Sequence, residues 1–142
     1  MSLTKPERVA WLEKVPLLRG CSAETIARLA EVTGELEFVD GQVIVQQGQV
    51  GNGLYIVGSG AVRIVAGGNE LAQLRTGEFF GELTVIDQQP RNATAYAVGR
   101  TTCLALASWD LVALVERDPG LALNLLRELA SRLRQADARI RD

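Results

Sequence analysis

The chain has 142 residues, 47% hydrophobic and 23% charged, enough for one domain with one core and too apolar for intrinsic disorder. Fifteen Lys+Arg against seventeen Asp+Glu leave a formal net charge of −2, which is no electrostatic footprint for nucleic acid. There is no histidine, so imidazole acid–base chemistry, histidine triads and histidine metal sites are excluded together.

Two cysteines, Cys21 and Cys103, form no CxxC pair, and neither a metal site nor a redox motif is supported. They read as two buried thiols, although the spacing does not exclude a disulfide. No apolar run approaches the ~18–20 residues of a bilayer span, and the polar N-terminus lacks a secretory core. The expectation is a cytoplasmic protein that engages no membrane and no nucleic acid through this chain.

In chain order, Thr4-x-x-Glu7 has the form of a capping box with Pro6 in the first helical turn. Val9, Leu12 and Val15 follow at helical spacing until Pro16 interrupts. Ser22 is an N-cap candidate for a second helix carrying Ile26, Leu29, Ala30 and Val32, with Gly34 as its stop. From 35 to about 107 the texture changes to short strands, because ten of the fourteen glycines lie between Gly41 and Gly81. The strands predicted between these turns are 35–39, 42–46, 54–57, 61–66, 70–74, 94–98 and 102–107, with Gly58-Ser59-Gly60 read as turn chemistry. That spacing suggests a β jelly roll or small barrel.

After Ala107 helix returns, with Ser108 as the cap of Trp109–Glu116 and Asp118-Pro119 opening a long helix to Ile140. Ala122, Leu126, Leu129, Leu133, Ala136 and Ile140 recur at 4-3-4-3-4, a short heptad seam widened by Leu121 and Leu125. The seam either packs on the barrel or, through Leu126, Leu129, Leu133 and Ile140, pairs with a second copy. The whole reads as a single domain over 1–142: N-terminal helices over 1–34, a jelly roll over 35–107, and C-terminal helices over 108–142. The fold class is mainly β with flanking helices, including a hinge helix before the long last one.

The chemistry concentrates in residues 77–94, Gly-Glu-Phe-Phe-Gly-Glu-Leu-Thr-Val-Ile-Asp-Gln-Gln-Pro-Arg-Asn-Ala-Thr. Gly81 begins one or two helical turns, whose start offers unpaired N–H groups and a partial positive field. Arg91 follows Pro90, which restrains the backbone and fixes where the guanidinium departs. A guanidinium fork beside free amides suits a phosphate. Glu82 repels a phosphate but accepts from a neutral hydroxyl, so the pair implies one ligand carrying both a phosphate and a sugar hydroxyl. The competing reading is an ordinary surface ion pair between Glu82 and Arg91, worth at most ~1 kcal/mol.

Phe80-Gly81-Glu82-Leu83, the nine-residue step from Glu82 to Arg91, and Pro90-Arg91-x-Ala93-Thr94 resemble the phosphate-binding cassette of cyclic nucleotide-binding domains. So do the run Phe38–Gly48 and Leu54-Tyr55-Ile56-Val57-x-x-Gly60-x-Val62. The likeness spans about residues 10–140 and is of the catabolite activator, protein kinase A regulatory subunit and cyclic-nucleotide-gated channel type. It implies a cyclic purine mononucleotide inside the jelly roll, with Arg91 on the cyclic phosphate and Glu82 on the ribose 2′-hydroxyl. Backbone amides of Gly81, Leu83 and Ala93 would complete the cradle, and Val62, Ile64 and Leu74 would wall the base.

Thr84 and Asn92 depart from the family's usual small residues, and Asn92 leaves the ligand as cAMP or cGMP, with cAMP favoured by the chain's bacterial appearance. In the family the final helix closes the pocket. Arg132 is the foremost candidate to reach the base, because a cation can stack on a purine, and Arg134 is the second; in the resembling family the polar adenine contacts lie farther along this helix, at positions corresponding to Ala136 and Asp137, and Ala136 cannot serve that way. These expectations describe a signal-transducing sensor that moves its C-terminal helix, not an enzyme, with no metal and with no helix-turn-helix output domain in this chain. Two alternatives stand: a degenerate jelly-roll module that serves protein association, and a cupin-like enzyme, which the lack of histidine disfavours.

Overall fold

A computed structural model describes residues 3–141, apart from the side chains of Leu83, Thr84 and residues 139–141. The expected contributions of the Leu83 and Thr84 side chains, and of Ile140 to the seam, therefore lie outside the described residues. Helix α1 (Lys5–Leu12) carries the capping box: Glu7 N donates to Thr4 Oγ1 at 3.3 Å and Thr4 N to Glu7 Oε1 at 3.0 Å. A 3-10 turn (Pro16–Leu18) follows where Pro16 was expected only to interrupt. Helix α2 (Ala23–Val32) is capped by Ser22, which accepts from Thr25 N at 3.1 Å. It ends on Thr33, not Gly34. Gly34 instead opens the first strand. Arg8 closes the C-terminal end of α2 by donating to Ala30 O and Thr33 O (3.0 and 2.7 Å), and its other nitrogen pairs with Glu35 at 3.0 Å.

The strands are β1 (Gly34–Phe38), β2 (Val43–Val45), β3 (Gly53–Ala66), β4 (Asn69–Arg75), β5 (Phe79–Phe80) and β6 (Thr94–Ala107). All pairings are antiparallel, in the order β1-β6-β3-β4, with β2 also on β6 and β5 on β3. The turn expected at Gly58-Ser59-Gly60 is a bulge instead. β3 runs on through it, with its register against β6 slipping on both sides of Ser59, and 94–98 and 102–107 likewise join into one strand. The fully buried Thr101 stabilises this irregularity by donating its hydroxyl to Ala61 O at 3.0 Å. A bulge of this kind bends and twists long strands, which lets a short sheet curl around an interior.

Helix α3 (Glu82–Asp87) lies between β5 and β6, and α4 (Ser108–Arg117) and α5 (Pro119–Arg141) follow the sheet. Ser108 is the first residue of α4 and makes no side-chain cap; its N–H donates to Asn52 O at 2.7 Å. The α4–α5 junction is fastened to the N-terminal segment. Asp118 accepts from Ser22 N (3.2 Å), Thr25 Oγ1 (2.7 Å) and Gly120 N (3.1 Å), and Asn124 Nδ2 donates to Leu17 O (2.9 Å) and Arg19 O (2.7 Å).

Two apolar groups result. One joins Leu12, Leu18, Ile26 and Leu29 to Leu111, Leu121 and Leu125 over one end of the sheet, with Leu54, Ile56, Leu104 and Leu106 beneath. The other holds Val57, Val62, Leu74, Phe80, Ala95 and Cys103 inside the curled strands. Both cysteines are free thiols, Cys103 buried and Cys21 only half-buried. Among the described residues no helix is long and apolar enough to cross a membrane.

Candidate functional site

The β5–α3 turn and the 88–93 loop face each other across the start of β3, and Arg91 fills the space between them. Its backbone is pinned on both sides, since Gly48 N donates to Arg91 O and Arg91 N to Gln49 O, each at 2.8 Å. Thr94 Oγ1 accepts from Gln47 N at 2.9 Å and secures the same loop pair. Arg91 as a residue is only 6% exposed. It donates to Gly53 O (3.0 Å) and Gly81 O (3.3 Å) and lies 5.8 Å from the Tyr55 ring centroid.

Glycines make this seat possible. Gly81 has φ +92°, a conformation L side chains rarely adopt, and a Cβ there would stand 2.6 Å from Arg91 Nη1 and 2.8 Å from Gly53 O. A Cβ at Gly51 would overlap the guanidinium itself. Burial pushes the Arg91 pKa below its ordinary value, while Tyr55 and Glu82 act in the opposite direction. Among the described residues no carboxylate lies within ion-pair distance of it. A buried cation whose described hydrogen bonds go to neutral carbonyls can accept an anion, because a bound negative charge offsets the desolvation cost of the cation.

Glu82, at the first position of α3, is 5% exposed. It does not pair with Arg91. Its Oε1 receives Arg132 Nη1 at 2.8 Å, and Arg132 also donates to Glu128 Oε1 (3.1 Å) and Phe79 O (2.6 Å). The Arg132 guanidinium sits 4.5 Å from the Phe79 ring centroid. Arg132, the candidate to stack on a base, thus fastens α5 to the cassette and at the same time lines the space between them.

Between cassette and α5 lies a cavity of about 670 Å³, within the usual range for small-molecule sites. Gly81, Glu82, Arg91, Asn92 and Ala93 line one end. The sheet side is Val45, Ile64, Ala72, Leu74, Phe80 and Ala95, and the α5 side includes Leu129, Arg132, Leu133, Gln135 and Ala136. Of the predicted residues, Gly81, Glu82, Arg91, Asn92, Ala93, Ile64, Leu74 and Arg132 therefore meet around one space. Val62 is not among the lining residues; it is fully buried in the sheet's interior core. Arg134 is exposed and lies outside the lining too.

Sequence reasoning missed Gly51, Tyr55 and Gln135. Gly51 stands in a run with Gly48 and Gly53 that reads only as turn. Tyr55 is visible as an aromatic in an otherwise aliphatic strand; it stacks on Phe80 with centroids 5.2 Å apart and so supports the β5–α3 turn from beneath. Among the described residues, no group of three Cys, Asp or Glu is arranged to hold a metal ion.

A family model described as the cyclic nucleotide-binding domain matches residues 35–118. The cyclic AMP receptor protein of Thermus thermophilus is 41% identical over 127 residues, covering 86% of this chain and 59% of that protein. The crystal structure of the Thermus thermophilus catabolite activator protein superposes with a TM-score of 0.79 at 40% identity, over 88% of this chain and 61% of that one. The regulatory domain of Toxoplasma gondii PKA, solved with cAMP, has a TM-score of 0.76 at 30% identity, over 89% of this chain and 49% of that one. The chain thus spans about three fifths or less of these relatives.

Proposed function

Because this chain belongs to the cyclic nucleotide-binding domain family, we propose that it binds cAMP in the cavity between cassette and α5, and that binding is coupled to the position of α5. The observation that carries the reading is Arg91: a buried guanidinium aligned by two carbonyls, without a carboxylate partner among the described residues, at the end of a nucleotide-sized cavity. The cyclic phosphate takes the Arg91 fork. The ribose 2′-hydroxyl donates to Glu82. The base lies between the aliphatic wall of Ile64 and Leu74 and the α5 face.

Coupling follows from what already holds Glu82. The ribose hydroxyl and Arg132 share one carboxylate, so ligand entry changes the strength of the clasp between α3 and α5. A ligand shifts a helix only by its difference in affinity for the two arrangements, and this shared acceptor is where that difference arises. The Asp118 and Asn124 hydrogen bonds hold the start of α5, so motion is confined to the part beyond the junction.

Thermal unfolding with cAMP, cGMP and AMP tests the binding. At a hundredfold excess over Kd a specific ligand adds ~2.7 kcal/mol, about 10 °C in Tm for a chain of this size. We expect that shift with a cyclic nucleotide and none with AMP. No shift with either cyclic nucleotide at millimolar concentration rejects the reading and leaves a module for protein association. Slower hydrogen exchange over residues 128–138 with cAMP is the expected sign of coupling.

The α5 seam supports a second copy as partner. Leu121 and Leu125 are buried in the domain, while Leu126 and Leu133, seven residues apart, remain 62% and 63% exposed. Two such helices crossing at this face would cover both leucines. Sedimentation should show a dimer that Leu126→Glu converts to monomer; a wild-type monomer at high concentration rejects the pairing.

A further inference from the structure

The N–H bonds of a guanidinium lie in its plane, so the two carbonyls that hold Arg91 restrain it edgewise. Nη1 donates to Gly81 O at 3.3 Å and Nη2 to Gly53 O at 3.0 Å. Two such contacts fix a line through the group, and the fork can still rock about that line. A third contact is needed to fix its tilt. The guanidinium lies over the ring of Tyr55, 5.8 Å from the centroid, within the distance at which a cation is attracted to an aromatic face.

Tyr55 is itself held. It is the one aromatic residue of β3, and it pairs with Phe80 in the β3–β5 register. The two rings stack at 13° with centroids 5.2 Å apart. Phe80 is buried in the core inside the curled strands, and Tyr55 packs against that core. The core thus carries Phe80, Phe80 carries Tyr55, and Tyr55 carries the guanidinium. Among the described residues the Tyr55 hydroxyl has no hydrogen-bond partner, so what the residue offers Arg91 is its ring.

The geometry points to Tyr55 as a positioning residue, whose ring sets the tilt of the Arg91 fork and so decides how that fork is divided between the two exocyclic oxygens of a cyclic phosphate. This rests on the binding reading above. Those oxygens are not equivalent, because the ribose is chiral and places one axial and the other equatorial on the phosphate ring. A bidentate fork depends on planar alignment. A guanidinium free to rock meets both oxygens alike, whereas one seated over a ring favours one of them. Tyr55→Leu would fill apolar space without a π-face to seat the cation. Asn92 follows Arg91 and lines the same cavity, and its amide can also donate to a phosphate oxygen. Its share must be measured apart from that of Tyr55.

Calorimetric titration of the whole chain with the Sp and Rp phosphorothioates of cAMP tests the assignment. Sulfur is larger than oxygen and a weaker acceptor, and each diastereomer replaces one exocyclic oxygen. The wild-type chain should prefer one of them by about tenfold or more, the scale of one charge-assisted hydrogen bond. Tyr55→Leu should weaken both and shrink the preference to about threefold or less, while Tyr55→Phe, which keeps the ring, should retain it. Tyr55→Met gives the same comparison should Tyr55→Leu not fold. In Asn92→Ala the preference should persist, and adding Tyr55→Leu should still shrink it. A Tyr55→Leu chain that weakens for both diastereomers in equal proportion has lost only structural support, and the assignment falls. It falls also if Tyr55→Phe behaves like Tyr55→Leu, if Asn92→Ala alone abolishes the preference, or if the wild type binds both alike, and in each of these cases the binding reading stands. No binding of cAMP or of either phosphorothioate rejects that reading and this assignment with it.

Discussion

Arg91→Met separates the cost of the site in the free protein from its value in the complex. In the free protein the substitution removes two charge-assisted hydrogen bonds, to Gly53 O and Gly81 O, each worth about 1.5–3 kcal/mol. It also removes a 6%-exposed cation whose desolvation costs several kcal/mol. The two nearly cancel, so free-protein stability should change by no more than about 1 kcal/mol, or some 3–4 °C in Tm. In the complex nothing cancels, because the phosphate is left in the cavity without its cation. Loss of one partner of a buried charge pair costs about 2–5 kcal/mol, which is about thirtyfold or more in affinity. Calorimetry with cAMP and thermal unfolding without it read the two terms separately. Affinity within about threefold of wild type, or a free protein destabilised by more than about 2 kcal/mol, would refute the reasoning. The first outcome would mean that Arg91 holds no anion, and the second that it is structural.

Gly51→Ala should act as a steric mimic of that variant, since the new methyl displaces the guanidinium without altering any charge; an unchanged affinity for cAMP would show that the close approach does not matter. Arg132→Ala should loosen α5, giving faster hydrogen exchange beyond Glu128, while the start of the helix stays protected by the Asn124 hydrogen bonds. The Asp118 carboxyl is held below the usual carboxylate range by the Thr25 hydroxyl and the Ser22 N–H. Its folded pKa is thus lower than its unfolded one, near 3.9, so its contribution is complete above that value and is lost as pH falls through the folded one. Asp118→Asn should flatten the loss of urea-midpoint stability as pH falls below about 4, and parallel curves would contradict the assignment. Burial pushes the Cys103 thiol up to about 12, and burial followed by Asp118 raises that of Cys21. At pH 8 a thiol reagent should modify Cys21 slowly and Cys103 only on unfolding.

Local signals decide much of this protein. The Thr4–Glu7 box, the Ser22 cap and the Asp118-Pro119 opening involve residues within one turn of each other, and each appears where the sequence puts it. The spacing of Glu82 and Arg91 also marks the cassette, because glycine, proline and a guanidinium carry their backbone and charge preferences wherever they stand. What the sequence leaves undetermined is pairing over distance. Gly58-Ser59-Gly60 reads as a turn, yet the opposing β6 strand and the Thr101 hydroxyl turn it into a bulge. Ser108 has the chemistry of a cap, but the loop carbonyl of Asn52 takes its N–H and the helix begins with it. Arg132 could have served a base or solvent, and only the folding of α5 across the cavity gives it Glu82, fifty residues away. Arg91's seat depends equally on Gly51, Gly53 and Gly81, brought together by β3 and the turn before α3. Residue chemistry alone thus marks which groups are able to bind an anion and a hydroxyl. Which of them are buried, which are already paired and which face the cavity follows from the folded packing, because burial and long-range pairing are properties of neighbours that the local chain does not contain.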